Sequence, residues 1–154
     1  MQSHIKVIIK EPGRASYYDT IPNELRILQQ CVDGNIETVT ISSDTVIICD
    51  DEGRIKGKQP NVRIANVDFC GTIIVAGKAG DELIDIPRAL QNDMRVMVNG
   101  FLFDRKYCLR CGKWYNGDPA LSREDNKTEI CPDCGQAEAM AEYARHKREA
   151  KAYD

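Results

Sequence analysis

Two short runs, "YCLRCGKW" and "ICPDCGQ", constrain this chain more than any other feature. They set Cys108, Cys111, Cys131 and Cys134 as two Cys-x-x-Cys pairs separated by nineteen residues. A tetrahedral ion takes four soft donors at about 2.3 Å, and two cysteines three apart on a tight turn aim both sulfurs at one point. Gly112 and Gly135 each follow the second cysteine of a pair, where a turn needs positive φ. The pattern predicts one structural Zn2+. A catalytic zinc keeps an open position and recruits histidine or carboxylate, and neither His4 nor His146 is needed here. Thioredoxin-like redox chemistry would use one pair in a βα unit rather than two matched knuckles. Metal binding worth on the order of 10 kcal/mol folds a segment too small to stabilise itself.

The other three cysteines, Cys31, Cys49 and Cys70, stand singly among apolar residues and read as buried small hydrophobes in a reducing compartment. The expected location is therefore cytoplasmic. No run reaches the roughly 18 apolar residues of a membrane span, and Met1–Lys6 lead directly into a strand-like pattern instead of a signal peptide. No membrane partner is expected.

The 154 residues suit one domain with a small appendage. Strands are expected at Ile5–Ile9, in "ASYYDTI", "NIETVTIS" and "TVIICDD", and in "FCGTIIVAG". Leu25, Leu28, Cys31 and Val32 recur at helical spacing, with Asn23 or Thr20 to cap and Gly34 to stop a helix of about three turns. Ile86, Leu90, Met94 and Met97 suggest a second helix after Pro87. The predicted class is α+β: an antiparallel sheet with two helices on one face, then a small four-cysteine zinc ribbon and a C-terminal helix. The boundary is placed near Asn99-Gly100, giving an α+β domain over 1–100 and the ribbon plus helix over 101–154, with the two parts in contact.

Formal net charge is −3, and residues 104–154 carry ten cations against ten anions. That balance disfavours a general nucleic-acid binder but leaves room for a local patch. "GRIKGKQPNVR" is the densest one, with Arg54, Lys56, Lys58 and Arg63 within eleven residues. Its glycine interval is wrong for a P-loop, and no Ser or Thr follows Lys58. "QPNVR" reads as a rigid loop in which Val62 turns inward while Asn61 and Arg63 share a face, a candidate clamp for a phosphorylated ligand. The plainer alternative has Asn61 stabilising its own turn and Arg63 paired with Asp50, Asp51 or Asp68. In the tail, Ser122 and Arg123 either contact a partner or cap the ribbon. Trp114 and Tyr115 either contact a partner or cover the knuckle. Arg145, Lys147, Arg148 and Lys151 match a helix C-terminus.

No catalytic set emerges. Asp50, Asp51, Glu52, Asp81 and Glu82 sit in turns where acidic residues are ordinary, and the chain is expected not to be an enzyme.

"VIIKEPG", "LQQCVDGNIETV", "VIICDDEGRIKGKQPNVRI" and "CGTIIVAG" resemble a domain-of-unknown-function family of small proteins from phages and mobile elements of Gram-positive bacteria, over about residues 4–100. "ALSREDNKTEICPDCGQAEAM" resembles a zinc-ribbon module at the ends of small phage proteins. The resemblance implies an accessory protein in a bacterial cytoplasm, and by analogy one that sequesters a nucleotide-derived host immune signal. Two expectations follow. In the first, Arg54, Lys56, Lys58, Asn61 and Arg63 hold a small phosphorylated or nucleotide-like ligand. In the second, the protein is a zinc-ribbon adaptor, binding a host protein or nucleic acid through Trp114, Tyr115, Arg123 and the last helix. Apolar strands and the Ala-Met face of that helix leave room for a homo-oligomer.

Overall fold

All six residues of Thr45–Asp50 are buried, so this strand must be covered on both faces rather than one. In the computed structural model, which describes residues 2–91 and 105–152, the cover comes from a helix on one side and a second sheet on the other. Strands β1 (His4–Lys10), β2 (Tyr17–Pro22), β3 (Ile36–Thr40), β4 (Thr45–Asp50), β7 (Ile73–Ala79) and β8 (Glu82–Ile84) form an antiparallel sheet in the order β2-β1-β7-β4-β3, with β8 on β7. Side chains alternate across it. Val7, Ile48 and Ile74 pack with Leu28 and Val32 of helix α1 (Leu25–Val32). Ile8, Ile47 and Val75 pack with Val62, Ile64 and Phe69 of the second sheet.

That second sheet is where the sequence reading falls short. Pro60–Ile64 is strand β5, not a loop, and it pairs with β6 (Val67–Cys70). A register shift between Pro60 and Arg63 breaks the two-residue alternation, so Asn61 and Val62 are both buried and Asn61 does not share a face with Arg63. "FCGTIIVAG" is likewise two strands, divided at Gly71, whose φ of 83° lies where the chain passes from one sheet to the other.

Helix α1 has eight residues instead of three full turns. Its N-cap is Glu24, without a side-chain cap bond, and Asp33 takes the left-handed position (φ 56°) while the Gly34 N–H closes on Gln29 O at 3.1 Å. Helix α2 covers Arg88–Gln91; Met94, Met97 and the expected boundary at residue 100 lie outside the described residues.

The ribbon is built onto the second sheet. Strand β9 (Arg105–Tyr107) pairs with β5, bringing Lys106 opposite Val62, and β10 (Trp114–Tyr115) pairs with β9. Strands β11 (Ala120–Leu121) and β12 (Glu129–Ile130) form a small hairpin, and helix α3 (Pro132–Ala152) follows. A second junction lies at the β1–β2 turn, where the Glu129 N–H donates to Gly13 O at 2.7 Å. Lys10, Lys106 and Glu129 are buried near it, at 2%, 7% and 8% exposure. Burial pushes the Lys10 ammonium down to about 8, against the opposing pull of Glu129.

Candidate metal centre and ribbon surface

Strand β9 delivers Cys108 directly into the first knuckle. There the Gly112 N–H donates to Cys108 O and the Cys108 N–H to Lys113 O, both at 2.9 Å, and Gly112 has the expected positive φ of 74°. The second knuckle differs. Cys131 precedes α3 and Cys134 lies in its first turn, with Pro132 at the opening position and Asp133 beside it, both favoured at a helix start. Gly135 is therefore helical, and its small size serves another purpose. A Cβ there would come well inside 3.0 Å of the Ala120 Cβ, so glycine lets the helix rest on β11.

The four sulfurs all lie within 4.8 Å of one another, with Cys108–Cys134 and Cys111–Cys131 both at 3.8 Å. Four ligands about 2.3 Å from a tetrahedral ion stand about 3.8 Å apart, so the set fits one metal ion bound by four thiolates. Burial would raise the Cys108 thiol, but backbone N–H groups of Cys131, Cys111 and Arg110 outweigh it and bring it to about 7, whereas burial pushes the Cys111 and Cys134 thiols up, so a metal ion would have to displace their protons.

The "ALSR" run fastens helix to ribbon. Buried Glu138 accepts from Ser122 Oγ at 3.1 Å and from the Arg123 N–H at 2.6 Å, and it pairs with Arg110; Arg123 pairs with Glu142. Trp114 meets the Tyr107 ring edge-on at 5.2 Å, and Arg63 lies 5.6 Å from the Trp114 centroid. A groove of about 440 Å3 opens at the cysteine cluster, lined by three of its cysteines together with Lys113, Trp114, Tyr115, Pro132 and Ala137 among others.

The inner side of α3 is the charged one, carrying Glu138 and Glu142, so its apolar residues face outward. Met140 is 65% exposed and Tyr143 70%. Beyond Tyr143, every residue from Ala144 to Glu149 is exposed.

The cations of residues 53–63 are engaged within the fold. Lys58 Nζ donates to Val32 O (2.6 Å) and Asp33 O (2.8 Å), capping the negative end of α1, and pairs with Asp50 at 2.6 Å. Lys56 also pairs with Asp50 (2.9 Å). Burial would raise the Asp50 carboxyl; hydrogen bonds from Lys58, the Glu52 N–H and Lys56 outweigh it and hold it well below the usual carboxylate range. Arg63 pairs with Asp68 (2.6 Å), and Arg54 donates to Asp68 O (2.8 Å). Asn61 donates to Lys10 O and Gly71 O, both at 2.8 Å, tying β5 to its neighbours. Of these pairings, only Arg63 with Asp68 was among the readings of the sequence.

Fold and site together define an α+β domain whose second sheet continues into a ribbon with four clustered cysteines able to hold a metal ion. The chain belongs to the family of the domain of unknown function DUF3846, which matches residues 5–99. No curated protein and no solved structure matches it. Among the described residues, no helix is long and apolar enough to cross a membrane.

Proposed function

We propose that this protein is a non-catalytic adaptor. One Zn2+ on Cys108, Cys111, Cys131 and Cys134 orders the ribbon, and the ribbon presents α3 and the Trp114–Tyr115 groove to a macromolecular partner. One observation carries this reading: the outer part of α3 projects with Met140, Tyr143, Arg145, Lys147 and Arg148 all exposed. A short helix end with no packing gains little from propensity alone, and a partner supplies the missing contact. Lysine-directed cross-linking in bacteria producing the protein tests it. Cross-links to a second macromolecule are expected through Lys113 and Lys147; cross-links confined to Lys56, Lys58 and Lys78 would sink the reading.

A second reading keeps a small phosphorylated or nucleotide-like ligand in the α+β domain, with the phage counter-defence role that the resemblance attaches to it. It is favoured by a cleft of about 380 Å3 under residues 51–57, where Arg54 lines the wall. Glu37 and Asp51 line the same space, and Asp50 and Asp68 there already hold Lys56, Lys58 and Arg63, so an anion entering it meets two further carboxylates beside one arginine. The adaptor reading is therefore the conclusion. Calorimetry with a nucleotide panel against the Arg54→Ala variant separates the two.

A further inference from the structure

Four arginines from three separate stretches of the ribbon converge on one cleft of about 570 Å3: Arg110 from the first knuckle, Arg123 after β11, and Arg145 and Arg148 from α3. The flank of α3 involved bears Glu138 and Glu142, away from the Trp114–Tyr115 groove. Glu124, Glu138 and Glu142 complete the polar lining, and Ala141 is its one apolar residue. Two of the glutamates are committed. Glu138 is buried and shared among Ser122, the Arg123 N–H and Arg110, while Glu142 pairs with Arg123 and lies 3.7 Å from His146. Arg110 and Arg123 are thereby held in place. Among the described residues, Arg145 and Arg148 form no ion pair, and both are exposed.

We infer that this cleft binds a phosphate group. Guanidinium presents a planar fork of N–H donors that matches phosphate oxygens two at a time, and a fixed pair beside an exposed pair, of which Arg145 feels Glu142 only at longer range, can close around a tetrahedral anion with little reorganisation. With Ala141 as its one apolar residue, the cleft offers charged groups from every other lining position, which suits a ligand that is ionic at the point of contact. The phosphate can belong to a nucleic-acid backbone or to a free phosphorylated molecule; the chemistry at the cleft is shared. This inference rests on the adaptor reading only in using the same helix, and the two fail separately: cross-links through Lys113 and Lys147 without phosphate binding would leave the adaptor standing alone.

The test is calorimetric titration of the metal-loaded full chain with inorganic pyrophosphate, and with a twelve-nucleotide single strand, at low salt. Arg145→Ala/Arg148→Ala lies on the projecting helix and leaves the metal knuckles intact. It is expected to weaken both probes by about tenfold or more, and to reduce the salt slope of oligonucleotide binding by about one per arginine. Lys127→Ala, exposed in the same ribbon but outside the cleft lining, is expected to change affinity by less than about twofold. Tighter binding of the oligonucleotide than of pyrophosphate assigns the phosphate to a nucleic-acid backbone, and the reverse order assigns it to a free ligand. Failure of both probes to bind, an unchanged double variant, or an equal loss in Lys127→Ala would overturn the inference.

Discussion

Asp50→Asn probes whether the cations of residues 53–63 serve the fold or await a ligand. The Asp50 side chain is only 1% exposed, and Gly34 faces it so closely that a Cβ there would fall 2.5 Å from the carboxyl carbon. Asparagine fills the same volume and can keep the Glu52 N–H bond, at 3.0 Å in the native protein. It removes the charge that Lys56 and Lys58 face. Lys56 is 39% exposed and its pair is screened by water, whereas Lys58 is 18% exposed and carries most of the effect. Lys58 retains the carbonyls of Val32 and Asp33, so its ammonium is not orphaned. Losing one charge-assisted hydrogen bond in a buried setting costs about 1.5–3 kcal/mol. The assay is urea unfolding of metal-loaded protein, repeated from pH 7 downward. Because Asp50 has a depressed folded pKa, its contribution is complete above the ordinary carboxylate pKa of about 4 and fades as pH falls below it. The native protein should therefore approach the variant in stability as the medium is acidified. A loss under about 0.5 kcal/mol at pH 7, with an unchanged acid slope, would refute the reasoning and return these lysines to the pool of ligand contacts.

Other outcomes follow from the same geometry. Gly135→Ala should destabilise the ribbon by about 1–3 kcal/mol, because the added methyl meets Ala120. Intrinsic helix propensity alone would give the opposite sign, about 1 kcal/mol of gain, so thermal melting decides between packing and propensity. Lys10→Met should stabilise the protein at pH 7 by on the order of 2–3 kcal/mol, since a buried ammonium with its pKa lowered to about 8 disfavours folding when charged. That cost is complete below pH 8 and is relieved between pH 8 and the unfolded value of 10.5, so native stability should rise through this window relative to the variant. Chemical denaturation at pH 7 and about pH 10 reads the difference. Ser122→Ala removes a buried hydroxyl from Glu138 and should cost about 1 kcal/mol, with faster exchange of the Arg123 amide as its local signature.

The four-cysteine cluster was legible in the sequence because two Cys-x-x-Cys pairs have the spacing that tetrahedral chemistry demands, and paired knuckles have few other uses. Strands β1 to β4 were legible because β-branched runs between turn residues have little alternative. Pro60-Asn61 concealed β5: both are turn-formers, and the register shift that buries Asn61 beside Val62 cancels the alternation that marks a strand. The second sheet was hidden for a related reason, since β5 finds β9 only through pairing distant in sequence, Val62 with Lys106. The partners of Lys58 are carbonyls at the end of α1, and backbone acceptors carry no residue signature. Gly135 was read as a turn glycine like Gly112, whereas the second knuckle is the first turn of a helix and the requirement there is close approach. The arginine cleft escaped notice because Arg110, Arg123 and the Arg145–Arg148 pair are far apart in sequence until α3 folds back over "ALSR".

The central claim is that a metal ion on four cysteines orders the ribbon and, through β9 on β5, joins it to the α+β domain. Hydrogen–deuterium exchange of the purified full chain, with and without a strong chelator, tests it most directly. The account expects chelation to abolish amide protection in the two knuckles, in β9 and β10, and in the first turns of α3, while β1, β4 and β7 stay protected. Equal protection in both samples would contradict it, because the ribbon would then fold without its metal.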